Sequence, residues 1–221
     1  MNKKTSADEY LMAIPWILSL TYIALVWHQV PDRLATHFDL TGQPNGWMGK
    51  PGLLLTSLAL GLFVYGLLRT TARPSLPAAK RHLLDRLRFV VNLFMAALPA
   101  GLFYMATGTD QLATGNVAIM ALTGLFIAAV GNYTISIKPN PYVGVRTPWT
   151  LRSERVWMRS NRLGGRLMVA GGLLSSVLAL LVPAPYTIGA VVTTVLITAL
   201  IPVVYSYVYY QQEQAGQLTD Q

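Results

Sequence analysis

Six apolar runs divide the chain, at about 11–30, 52–68, 87–106, 117–137, 163–182 and 186–209. A helix needs ~20 apolar residues, rising ~1.5 Å each, to cross ~30 Å of hydrocarbon. The pattern therefore predicts an all-α integral membrane protein with about six transmembrane helices. The second run is short and is expected to extend into 69–71. Pro99 and Pro202 fall inside the third and sixth runs. They are expected to kink those helices rather than end them, because neighbouring helices satisfy the freed carbonyl. Gly171, Gly172 and Gly189 would let helices approach closely. Pro183-Ala184-Pro185 joins the last two runs in a tight connection. Tyr205, Tyr207, Tyr209 and Tyr210 suit an interfacial aromatic belt. The polar, Gln-rich tail 211–221 reads as disordered, and no internal repeat is evident.

Composition agrees with this pattern. Charged residues make up 12% of the 221, against about 25% in soluble domains. The absence of cysteine excludes disulfides, thiolate metal sites and cysteine nucleophiles. A net charge of +8 raises the question of nucleic acid. The basic residues, however, lie between apolar runs, so the lipid bilayer is the expected partner and no direct nucleic-acid contact is expected. Fifteen of the 17 Lys and Arg residues fall on one side of the six-helix scheme. The other side holds only Arg33 and Lys50. The positive-inside rule then predicts both termini in the cytoplasm (N-in/C-in) and the loop 31–51 outside. The first run, at ~20 residues, is too long for the core of a cleavable signal peptide, and Trp27-His28-Gln29 is no cleavage site. Pro77 suits a helix start. His82 sits among Lys80, Arg81, Arg86 and Arg88 as part of a solvated basic face with no assigned role.

The outward loop is ordered by its turn chemistry. Asn45-Gly46 is a tight-turn signal, and Gly42 and Gly49 add breaks. Trp27 and Trp47 suit the membrane interface. His37 and Asp39, with His28 near the end of the first helix, have the residue types for an outer-face acid–base pair or a metal site. The simpler expectation is that His37 and Asp39 hold the turns of the loop by hydrogen bonds. No catalytic residue, metal or cofactor is assigned. Within the helices, Asn92 and Asn132 are expected to make interhelical hydrogen bonds, each worth on the order of 1 kcal/mol.

The stretch 131–165 carries the densest information. Lys138-Pro139-Asn140-Pro141 forbids helix continuation. Gly144 permits a bend, and Arg146-Thr147-Pro148-Trp149-Thr150 leads into a short helix capped by Thr150 or Ser153. Arg152, Arg155, Arg159, Arg162 and Arg166 recur at steps of three and four. Such steps keep them within an arc of about 80° on a helix, with Trp157 well away from it. This basic cytoplasmic loop-helix reads either as a helix lying on lipid phosphates or as a docking face for an anionic partner.

These residues also carry a resemblance. Asn132-Tyr133, Lys138-Pro139-Asn140, the run from Gly144 to Leu151, Ser153-Glu154, Trp157 and Arg162-Leu163-Gly164-Gly165 resemble the signature of the SdpI family. This is a group of bacterial integral membrane proteins named after an immunity protein against a secreted peptide toxin. The outward loop resembles a domain of unknown function found in longer SdpI-like proteins. The matching residues are Thr36-His37-Phe38, Gly42, Gly46-Trp47 and Lys50. The family often has Thr-His where this chain has Ser160-Asn161, so no acid–base or metal role is expected there. The resemblance implies two domains: 1–110, of unknown function, with the loop 31–51, and 111–221, SdpI-like, with the motif 131–165.

The resemblance further implies a membrane immunity or signalling protein of the bacterial plasma membrane. An extracellular peptide toxin would meet His37, Phe38, Asp39, Gly42, Gly46, Trp47 and Lys50. A cytoplasmic repressor protein would be captured by the motif containing Asn132, Lys138, Pro139, Asn140, Gly144, Arg146, Thr147, Pro148, Trp149, Thr150, Trp157 and Arg162. Two alternatives stay open. One is a membrane enzyme with an outer-face His/Asp site. The other is a small transporter, disfavoured because no Asp or Glu lies mid-helix.

Overall fold

The computed structural model describes residues 3–71, 78–136, 138–139 and 144–219. Its elements run α1 (Lys3–Val26), β1 (Arg33–Phe38), β2 (Pro44–Gly49), α2 (Lys50–Thr71), α3 (Ala78–Met105), α4 (Thr109–Thr134), α5 (Glu154–Leu181) and α6 (Ala184–Thr219). Among the described residues, five helices, α2 to α6, contain stretches long and apolar enough to cross a membrane, and α1 carries an apolar stretch over Tyr10–Val26. Large side chains such as Leu62, Phe63, Leu180, Leu181, Leu196 and Val204 stand exposed on the helix surfaces. A water-soluble protein would bury these, and lipid solvates them. The chain is a multi-pass membrane protein. Pro77 and the side chain of His82 lie outside the described residues.

Helix α1 packs on α3 through a buried amide. Asn92 of α3 donates from Nδ2 to the Met12 carbonyl at 2.6 Å and accepts from Trp16 Nε1 at 2.9 Å. The interhelical role expected of Asn92 is thus present. Asn132 differs: it is exposed on α4. Next to α4 lies α5, held against it by glycines. The backbones approach so closely that a Cβ on Gly172 would lie 2.5 Å from the Gly124 carbonyl oxygen. A bond from Ser176 Oγ to the Ala121 carbonyl at 2.9 Å crosses the same seam. Pro99 and Pro202 are fully buried within α3 and α6.

The strands form an antiparallel hairpin at the α1/α2 end. Its Leu34 is 1% exposed and joins Ile23, Val26, Val30, Leu53 and Phe103 in one apolar cluster, beside a Trp27–Phe103 stack. That burial, worth roughly 1.5–3 kcal/mol for one leucine, pins the hairpin to the helices. The hairpin turn differs from the expectation of a bend at Asn45-Gly46. The chain reverses over residues 39–43, where Gly42 takes φ +82°. Gly46 lies inside β2 opposite His37, where a Cβ would come within 2.9 Å of the His37 Cβ. Close approach, not a turn, is what requires glycine there. The register shifts on either side of His37 mark the irregularity.

Two further expectations are corrected. The basic segment is not a separate surface helix, because α5 is continuous for 28 residues, about 42 Å, from Glu154. Its apolar second half buries against α4 and α6, and the arginine-bearing first half is carried with it. Nor is the tail disordered throughout, since α6 runs to Thr219 and its last turns pack beside the first turns of α5.

Candidate functional site

Two polar assemblies occupy opposite ends of the bundle. The first is the hairpin. Asp39 Oδ1 accepts from Thr41 N at 2.8 Å, Thr41 Oγ1 at 2.7 Å and Gln43 N at 3.0 Å. The carboxylate therefore closes the turn as an acceptor, as the structural reading of the loop required. His37 Nδ1 pairs with Asn45 Oδ1. His37 and Asp39 thus each have a local partner, and His28 is exposed near the end of α1. Among the described residues no three His, Asp or Glu side chains gather where they could hold a metal ion. Phe38 pairs with Pro44 and is half-buried, whereas Trp47 is exposed opposite Ala35.

Lys50 anchors the hairpin base. Its Nζ lies 3.2 Å from Asp32, donates to the Trp27 and Val30 carbonyls at 3.3 and 3.5 Å, and sits 5.2 Å from the Trp27 ring centre. At the turn, Asn116 Nδ2 of α4 donates to the Gly42 carbonyl at 3.4 Å, and a Cβ on Gly42 would lie 3.8 Å from the Ala184 carbonyl. The hairpin thus reaches the first residues of both α4 and α6.

The Thr41 hydroxyl, then the Gln43 backbone N–H, hold the Asp39 carboxyl below its ordinary range. The lowered folded-state value means that the turn draws full stabilisation above about pH 4, the unfolded carboxylate range. That stabilisation drains away as pH falls through the folded value. A carbon-13 titration of the Asp39 carboxyl should therefore give a midpoint below that of an unstructured aspartate, and Thr41→Val should move it upward. An ordinary midpoint in the unaltered protein contradicts the turn geometry.

The second assembly caps the other end, between α4 and α5. Lys138 and Pro139 are exposed after α4, and Asn140 lies outside the described residues. Gly144 takes φ +124° with its Cα against Trp157 and Asn161. Val145 N donates to Asn161 Oδ1 at 2.7 Å, and Asn161 Nδ2 donates to the Trp157 carbonyl at 3.0 Å. Trp157 and Asn161 are 0% and 1% exposed. Thr150 is a turn hub rather than the helix cap. Its hydroxyl accepts from Thr147 N at 2.9 Å and donates to the Val145 carbonyl at 2.8 Å. Ser153 is the cap: it has extended backbone and accepts from Val156 N at 3.2 Å.

Trp149 ties this cap to α6. Its Nε1 donates to Ser206 Oγ at 2.7 Å, and its ring meets Tyr207 edge-on at 5.2 Å. Arg146 and Pro148 are left exposed on the outer surface of the cap. Beside it, Arg155, Arg159, Arg162 and Arg166 stand exposed along one face of α5. They line an open groove of about 620 Å³ together with Tyr209 of α6.

Residues 136–206 match the SdpI/YfhL protein family. The SdpI-family segment spans the cap, all of α5 and most of α6, so the motif residues and the helices holding them form one unit. Residues 14–61 match a domain of unknown function, DUF1648, which takes in the hairpin and the helices flanking it. Over 89 residues the chain is 34% identical to the immunity protein SdpI of Bacillus subtilis strain 168, covering 40% of this chain and 42% of that protein. No solved structure matches the chain.

Sequence reasoning missed Asn116, Asp32 and Ser206, whose partners lie 18 to 74 positions away and leave no local pattern. Asn161 was visible only as a departure from the family's histidine. Its signal is its placement one helical turn after Trp157, which aims its amide at the Trp157 carbonyl and at the incoming chain.

Proposed function

We propose that this protein confers immunity to a secreted antimicrobial peptide from within the bacterial plasma membrane. The hairpin would face outward, and the cap and both termini would lie in the cytoplasm. The observation that carries the reading is the 34% identity over 89 residues to the immunity protein SdpI. The orientation rests on the skew of 15 basic residues to two. In this reading the chain divides into domains 1–110 and 111–221, each containing one of the two matched segments. The role is non-enzymatic in this reading, with Asp39 and His37 shaping the hairpin that the peptide meets.

A sensing role follows from α6. Its first turns touch the hairpin, with Ile188 Cδ1 3.9 Å from a Cβ on Gly42 and the Leu40 carbonyl 3.7 Å from one on Gly189. Its later turns hold Trp149 through Ser206 and Tyr207. In this reading, peptide pressing on the hairpin biases the seat of the cap through α6, and a cytoplasmic repressor would read the exposed Arg146, Pro148 and Leu151 surface.

The test is expression in a peptide-sensitive bacterium challenged with a panel of secreted peptide toxins. Survival should rise at least tenfold against one of them. Arg146→Ala should leave protein levels intact and abolish capture of the repressor. Unchanged killing across the panel, with the protein present in the membrane, overturns the immunity reading. Survival without any Arg146-dependent capture overturns the sensing role alone.

A further inference from the structure

The arginines of α5 have a chemistry that the immunity reading leaves unused. From Arg155 to Arg166 the ladder climbs about 16 Å along one helix face. Its outer two members are engaged with α6. Arg155 Nε lies 3.7 Å from Glu213 Oε1, and the Arg159 guanidinium sits 5.6 Å from the Tyr209 ring centre. Arg162 and Arg166 are exposed, and among the described residues neither has an ion-pair partner.

Their depth makes this consequential. Beyond Arg166, α5 continues without charge to Leu181, about 22 Å at helical rise. A hydrocarbon core is ~30 Å thick, so with Leu181 at the far boundary the Arg166 backbone falls about 8 Å inside the near one, from where its long side chain reaches back to the headgroups. A guanidinium there is costly without an anion or water, and arginine forks match phosphate oxygens in pairs. Deeper on the same helix face, Leu173 and Val177 stand exposed, two and three turns beyond Arg166. Apolar lining at one level and paired cations at the next fit an amphiphile, and a soluble anion would use only the cations. Glu154 on the rim adds one opposing charge to the outer end of the groove. That leaves the inner end, at Arg162 and Arg166, as the more electropositive part.

We propose that the groove between the first half of α5 and the last turns of α6 is a binding site for an acidic phospholipid. The phosphate is held by Arg162 and Arg166, and an acyl chain lies deeper along Leu173 and Val177. The site is independent of any toxin.

Native mass spectrometry of the purified, detergent-solubilised full chain tests this. Phosphatidylglycerol should be retained in preference to phosphatidylcholine, and the Arg162→Gln/Arg166→Gln pair should weaken that retention about tenfold. Arg33→Gln, at the opposite end of the bundle, should leave it unchanged. Equal retention of the two lipids, or undiminished phosphatidylglycerol binding in the double variant, overturns the site. Displacement of the lipid by millimolar inorganic phosphate shows a free-anion site instead and overturns the lipid assignment. Should the double variant fail to fold, Arg162→Gln alone is scored by thermal shift. The unaltered protein must gain stability from phosphatidylglycerol but not from phosphatidylcholine, and Arg162→Gln must lose that gain. Failure on any of these counts concerns lipid retention by purified protein and leaves the immunity reading standing.

Discussion

Gly165→Ala will lower the melting midpoint of the detergent-solubilised protein by about 2–12 °C, the scale expected when overpacking costs about 1–3 kcal/mol in a chain of this size. The reason lies in the α4–α5 seam. A Cβ on Gly165 would sit 2.7 Å from the Gly131 carbonyl oxygen, and one on Gly131 would sit 2.8 Å from the Gly165 oxygen. Two turns along, Gly172 and Gly124 repeat the arrangement at 2.5 and 2.6 Å. At each of these positions a backbone oxygen is among the obstructing atoms, and no rotamer change can move it, so the helices must part. Between membrane helices the driving force is close packing rather than exclusion of water. Separation by a few tenths of an ångström therefore forfeits dispersion contacts along the whole seam. Gly66→Ala is the control. A Cβ there meets nothing within 4 Å, and alanine favours the helix by up to ~1 kcal/mol. The measurement is thermal unfolding of the three proteins in one detergent. A Gly165→Ala midpoint equal to that of the parent contradicts the seam.

The second large effect is expected at Asn161. Replacement by leucine removes the acceptor for Val145 N and the donor to the Trp157 carbonyl in one step. A buried donor left unpaired costs about 1–3 kcal/mol, and the branched side chain must also fit against the Cα of Gly144. The expected result is local opening of residues 144–152 while α5 and α6 persist. Trypsin should then cut after Arg146 and Arg152 about tenfold faster, following the population of the open form. Ser160→Ala gives the contrast. Ser160 is as deeply buried as Asn161, but among the described residues its hydroxyl has no hydrogen-bond partner, so removing it should leave the cleavage rate unchanged. Equal rates for Asn161→Leu and the parent would mean that Asn161 does not hold the cap.

The site was legible in part, and the division follows the range of the interactions. Pro139, Gly144 and the run from Arg146 to Thr150 announce a bend, because their backbone restrictions act within a few residues. The choice between Thr150 and Ser153 as helix cap was not legible, since both have suitable side chains. It was settled by Thr150 being drawn into the Thr147–Val145 turn. Asn45-Gly46 misled for a similar reason. A strong turn dipeptide gave way to Asp39, which gathers three hydrogen bonds at residues 41 and 43 and places the reversal there.

The amino-acid sequence by itself determined where the apolar runs lie, the skew of basic residues among the segments between them, the caesura at Lys138–Pro139 and the motif residues. All of these depend on the composition or covalent geometry of neighbouring positions. Tertiary structure alone decided that the basic segment is the first half of a continuous α5 and that the last helix extends to Thr219. It also decided that the hairpin rests on α4 and α6, and that Asn161 closes the cap. Each of these depends on a partner far away in the chain. A glycine seam or a buried amide acquires its energy only once the opposing backbone is within van der Waals or hydrogen-bond distance, and no local pattern encodes that distance.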